Sequence, residues 1–131
     1  MAKFMVPFTG QTYALLRIVT GFLFLWHGAQ KLFDFPTDAR EGMSAFIMYG
    51  AGGIELIGGV LVMIGLFTRW TAFICCGFAA VAYWMAHGMN ALLPFLNRGE
   101  LITLYCFVFL YISANGSGMW AVDSLRNKST S

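Results

Sequence analysis

The sequence predicts an all-α membrane protein, an antiparallel bundle of four transmembrane helices, and three observations carry that expectation. Of 131 residues, 59% are hydrophobic and only 11% are charged, against about 45–50% and about 25% in soluble domains. A small soluble fold buries a modest fraction of its area and must cover the rest with polar groups. This chain lacks them, so its apolar excess has to face lipid. Second, four apolar runs approach the about 20 residues that a spanning helix needs. Third, only Thr68 and Arg69 separate the second run from the third, which forces an antiparallel hairpin.

Each element follows from its own residues. Met1 to Gln11 has no charged n-region, short apolar core or small-residue cleavage site, so no cleaved signal peptide is expected. The first span runs over 13–33 and contains Leu15-Leu16, Ile18-Val19 and Phe22 to Trp26. Pro36 lies just beyond it and cannot continue a helix. Met43 to Met48 is expected to form a short interfacial helix. The second span, 49–67, is interrupted only by Glu55, and the third covers 70–87. A linker from Gly88 to Gly99 leads into the fourth, 100–115, and a polar tail over 116–131 is expected on the membrane surface. The whole chain, 1–131, reads as one domain.

Charge narrows the partners. A formal charge of +2 without a basic run excludes a nucleic-acid surface and leaves the lipid bilayer as the environment. Lys3, Arg69, Arg126 and Lys128 fall on one side of the threading and Lys31, Arg40 and Arg98 on the other. A snorkelling Arg17 would join the first group. The positive-inside rule then places both termini in the cytoplasm. Cys75, Cys76 and Cys106 are odd in number and sit in apolar runs, which argues for packing rather than a disulfide framework. Trp26, Trp70 and Trp84 read as interfacial aromatics.

Ionisable residues inside a membrane are costly and usually face the interior of a bundle. Antiparallel threading brings His27, Lys31, Glu55, His87 and Glu100 to the same half of the membrane, whichever way the chain is oriented. Arg17, Gly21, Phe24, Gly28 and Lys31 are spaced to line one face of the first span, with His27 beside them. Glu55, Gly58, Gly59, Val62 and Gly65 repeat the pattern on the second. Glycines there let neighbouring helices approach closely, and a lone buried carboxylate is so unfavourable that contact of Glu55 with Lys31 or His27 is expected. A second polar group forms at the opposite side. There Arg17 would reach Asp123 or the carbonyls ending the fourth helix, a structural tie suited to arginine.

The first cluster has two readings: an ion-pair network that fixes helix register, or a ligand pocket between helices. No H-x-x-x-H or E-x-x-H spacing supports a metal or haem. A quinone headgroup fits better, with histidine, tyrosine and carboxylate near a membrane interface.

Arg17-x-x-x-Gly21, His27-Gly28-x-x-Lys31, Gly53-Ile54-Glu55-Leu56-Ile57-Gly58-Gly59 and Gly65-Leu66-Phe67-Thr68-Arg69 together resemble the DoxX family. His87, Glu100 and Gly116-Ser117-Gly118 to Asp123 also sit where the family has its later markers. Met43 to Gly52 is shorter than in many members and lacks their proline. The resemblance implies a four-helix protein of the bacterial cytoplasmic (inner) membrane, associated with redox or oxidative-stress partners and with quinones. At most it implies a subunit of a quinone-linked oxidoreductase. On this reading His27, Lys31, Glu55, His87 and Glu100 line a site for a quinone-like ligand, with a redox protein as partner. The competing readings are a non-catalytic anchor or assembly protein and a small transporter acting as a homo-oligomer.

Overall fold

The computed structural model describes residues 3–129. The ends of the N-terminal segment and of the polar tail (Met1, Ala2, Thr130 and Ser131) lie outside the described residues, as does the side chain of Lys128 that was counted towards orientation. The described residues are helical, with no strand among them.

A 3-10 segment, Lys3–Phe8, leads into α1, Thr9–Phe33. The helix therefore begins four residues before Tyr13. It ends as the sequence requires: Asp34 turns left-handed, its N–H returns 3.1 Å to the Gln30 carbonyl, and Pro36 follows. The second helix, α2, is Ala45–Ile64. The expected interfacial helix over Met43 to Met48 is not separate, because Ser44 caps α2 by accepting from the Ile47 N–H at 3.3 Å. Serine at this position satisfies one of the donors that a helix start leaves unpaired. The helix then stops at Gly65, with φ +71, a conformation that glycine adopts without penalty. The hairpin turn is accordingly Gly65 to Phe67, and Thr68 and Arg69 already belong to α3, Thr68–Tyr83.

The third helix runs on through a π turn, Trp84–Gly88. A single turn, α4 (Pro94–Asn97), precedes α5 (Glu100–Asn115), and α6 (Val122–Ser129) closes the described chain. Three helical stretches are long and apolar enough to cross a membrane: Lys3–Phe33, Ala45–Ile64 and Thr68–Gly88. At 16 residues, α5 extends about 24 Å, short of the about 30 Å of a bilayer's hydrocarbon. Large apolar side chains such as Trp70, Trp84, Leu104 and Phe107 project outward, each more than 60% exposed.

The helices associate as two tight pairs, α1 with α2 and α3 with α5. In the first pair the glycine stripes meet backbone to backbone. A Cβ at Gly21 would stand 2.5 Å from the Gly59 carbonyl oxygen, and one at Gly28 2.5 Å from that of Gly52. Residue 21 against 59 and 28 against 52 means that these two helices run in opposite directions. Phe24 links the pairs, its ring 4.7 Å from that of Phe109 and 5.1 Å from that of Tyr105.

At the end where α1 begins, the stretch from Gly116 to Asp123 packs back against the bundle, with Ala121 buried, while Leu125, Arg126 and Asn127 stay exposed. Arg17 is fully buried and does not snorkel. It donates neither to Asp123 nor to the carbonyls ending α5. Its acceptors are Val62 and Met63 at the end of α2 (2.8 and 2.6 Å) and Met119 and Trp120 of the tail (3.2 and 2.8 Å). Both expected partners are taken by other groups. Arg69 donates to the last carbonyls of α5, those of Ser113, Ala114 and Asn115. The Asp123 carboxylate accepts from the N–H groups of Phe67 and Thr68 and from the Thr68 hydroxyl, each at 2.9 Å.

Asp123 thereby supplies from a distant part of the chain the cap that the start of α3 lacks. A carboxylate is also favoured there by the helix dipole. Partial desolvation works to raise its pKa, but the bonds from Thr68 and Phe67 and the charge of Arg126 outweigh it, so the value lies below that of a free aspartate. A lowered native pKa contributes stability above the unfolded value, about 3.9, and that contribution disappears as pH falls through the lower native value. Asp123→Ala is therefore expected to cost about 1–2 kcal/mol, the range of a lost helix cap. The loss should be seen in thermal unfolding at pH 7 in detergent and should shrink as pH falls through the carboxylate's lowered native value.

Candidate functional site

The opposite end of the bundle holds a cavity of about 660 Å3 between the two helix pairs, within the about 300–1,000 Å3 range of small-molecule sites. Its walls are apolar: Phe24 of α1, Phe46 and Ile47 of α2, Phe78 and Val81 of α3, and Leu101 and Ile102 of α5. Against these walls stand His27, Lys31, Glu55, Tyr105 and His87, with Arg40 and Arg98 from the two connections.

At the centre is an ion pair. Lys31 Nζ donates to Glu55 Oε2 at 2.5 Å and makes a longer contact, 3.4 Å, with the His27 carbonyl. The pair exists because the glycine faces bring α1 and α2 so close that a lysine in the last turn of α1 spans to mid-α2. Glu55 is 5% exposed. Unpaired, a carboxylate there would carry the full cost of its desolvation. The Lys31 ammonium offsets that cost only where the geometry is this close.

His27 stands edge-on to Tyr105, ring centres 6.0 Å apart. His87 lies in the π turn that ends the third helix, a device that recurs at functional sites because it re-aims a side chain within a helix. Its Nδ1 is 2.9 Å from the Asn97 carbonyl oxygen. Asn97 is itself buried. It donates to the Tyr83 hydroxyl and the Ala91 carbonyl, and its side-chain oxygen accepts from the Gly99 N–H, each within 2.9 Å. One asparagine thus sets the path of the linker that carries Arg98 to the cavity.

Of the five residues expected at this site, the structure brings four to the cavity: His27, Lys31, Glu55 and His87. Glu100 does not line it and is exposed. It is the first residue of α5, where the helix dipole favours a carboxylate, while Leu101, Ile102 and Tyr105 turn inward. Tyr105, Arg40 and Arg98 are the residues that the sequence reading passed over. Tyr105 had a signal, since Tyr105, Phe109 and Ile112 are spaced four and three apart, and all are buried. Arg40 and Arg98 sit in irregular connections, where no periodicity reveals direction. No group of three histidine, cysteine or acidic side chains able to hold a metal occurs among the described residues.

An ammonium donor, a carboxylate and two imidazoles on apolar walls can hold a flat lipophilic molecule with polar oxygens and can exchange protons with it. A Bacillus subtilis protein named "Putative oxidoreductase CatD" is 31% identical over 113 residues, covering 83% of this chain and 82% of its own. A Haemophilus influenzae protein without an assigned function is 39% identical over 117 residues, covering 85% and 87%. No solved structure matches. The DoxX family profile matches residues 12–88, which carry α1 to α3 with His27, Lys31, Glu55 and His87, and the chain belongs to the DoxX family.

Proposed function

We propose that this protein is an integral membrane subunit of a redox or oxidative-stress system, and that it binds a quinone-like lipophilic ligand in the cavity. It crosses the bacterial cytoplasmic membrane four times as an antiparallel bundle, with both termini in the cytoplasm. The short α5 completes the fourth crossing with help from the linker before it. The observation that carries the ligand reading is the Lys31–Glu55 pair, set on the wall of a mainly apolar cavity with His27 beside it. A pair needed only for helix register has no reason to border an open volume of about 660 Å3. The B. subtilis relative named as an oxidoreductase supports the redox setting.

In this reading Lys31, or His27 when protonated, donates a hydrogen bond to a ligand carbonyl oxygen. Glu55 accepts or returns a proton as the ligand is reduced or oxidised, and His87 lies across the cavity as a second polar contact. The ligand's ring rests against Phe24 and Tyr105.

Glu55→Gln preserves shape and removes the charge. It is expected to weaken quinone binding at least tenfold, read by titration of the detergent-purified protein, while the helical circular dichroism is unchanged. Binding of wild-type strength in this variant would overturn the proposal. A lowered unfolding temperature with no ligand effect would identify the pair as a register device and the protein as a non-catalytic anchor.

A further inference from the structure

Away from the cavity, the tight α3–α5 pair brings two thiols together. Cys76 Sγ and Cys106 Sγ are 3.8 Å apart, each the other's hydrogen-bond partner, and both are half-buried. Cys75 is adjacent in sequence but excluded from the pair. It is 1% exposed and faces α2, where a Cβ at Gly58 would meet its sulfur.

We propose that Cys76 and Cys106 form a reversible dithiol–disulfide couple between α3 and α5, oxidised by a lipid-soluble quinone. The sulfurs stand 3.8 Å apart, and they have to approach to the about 2.05 Å of a disulfide for the bond to form. In the step, two S–H bonds break and one S–S bond forms. Two electrons and two protons pass to the quinone, which leaves as the quinol. The class of oxidant follows from position. Cys76 and Cys106 lie in the interiors of apolar helices, out of reach of charged water-soluble oxidants and in contact with the phase where quinones dissolve. Selectivity follows from the helix: with about 100° between successive residues, Cys75 and Cys76 cannot face the same neighbour. The couple does not depend on a ligand in the cavity.

The test uses membrane vesicles holding the full chain, exposed to a fully substituted lipophilic benzoquinone or to ferricyanide. Thiols are then counted after denaturation in alkylating agent. The quinone is expected to reduce the count from three to one, with a Cys76–Cys106 cross-linked peptide found by mass spectrometry and reversed by dithiothreitol. Ferricyanide should leave all three. Cys75→Ser should retain the cross-link, and Cys76→Ser or Cys106→Ser should abolish it. Peptide mapping of the wild-type protein decides the matter even if a serine variant fails to fold. Three free thiols after quinone treatment, a quinone adduct on either sulfur, or cross-links between chains in place of the internal one would each overturn the proposal.

Discussion

Arg17→Met is expected to lower the unfolding temperature in detergent by about 10 °C or more, the largest loss of any single polar substitution in this chain. Methionine replaces the aliphatic stem but not the guanidinium, so the loss combines the hydrogen bonds with the space the head group vacates. Four carbonyls from two separate segments converge on this guanidinium, which is itself fully buried. Removing the donor leaves acceptors that each cost about 1–3 kcal/mol when unsatisfied. Relaxation of the tail recovers part of this, which leaves about 3–5 kcal/mol. For a chain of this size 1 kcal/mol moves the midpoint by several degrees. Arg17→Lys should rescue less than half of the loss, because an ammonium cannot present the planar fork that serves four carbonyls at once. Thermal unfolding followed by circular dichroism measures both. A midpoint within two or so degrees of wild type for Arg17→Met would mean that the tail is not tied to the bundle through this residue.

The second large effect is steric. Gly28→Leu should prevent α1 and α2 from closing, because even the first carbon of the new side chain would meet the Gly52 carbonyl at 2.5 Å and the backbone of Leu56. These obstacles are backbone atoms, which cannot rotate aside. Small-to-large changes in tight sites cost about 1–3 kcal/mol for one or two carbons, and leucine adds four. Separating the helices would also break Lys31 from Glu55, so quinone binding and stability should fall together. Gly53→Ala is the matched control. Gly53 has open space where a Cβ would go, so alanine should be neutral or add up to about 1 kcal/mol through helix propensity. Size-exclusion profiles and unfolding midpoints of the two variants provide the comparison. Equal behaviour would show that the glycine stripe is not the contact face.

The apolar helices were legible because long hydrophobic runs mark themselves by length and hydropathy, and the α5 boundaries, Glu100 and Asn115, match the reading from sequence. Boundaries depending on a cap were read less well. Ser44 before an apolar run is a start signal that the search for an interfacial helix obscured, and Gly65 is a stop signal that hydropathy through Phe67 concealed. That Glu55 meets Lys31 or His27 followed from threading and from the cost of an unpaired carboxylate; the structure selects Lys31. The partners of Arg17 did not follow. Backbone carbonyls are present at every residue and leave no mark in a sequence, so carboxylates attract attention that main-chain acceptors deserve equally. The place of Glu100 was missed for a related reason: depth along a helix is readable from threading, but azimuth at the first residue is not.

The tie at Arg17 also sets an order of events in biosynthesis. Its acceptors on the tail lie 102 and 103 residues downstream, so at about 5–20 residues per second they are synthesised roughly 5–20 s after the arginine itself. Throughout that interval the first helix carries a guanidinium whose native partners are incomplete, with Val62 and Met63 arriving midway and Met119 and Trp120 last. A chain broken off before Met119 retains all the residues of α1, α2, α3 and α5 yet leaves half of the arginine's four acceptors unmade, so the first helix keeps an incompletely satisfied guanidinium until the segment after α5 has joined the bundle.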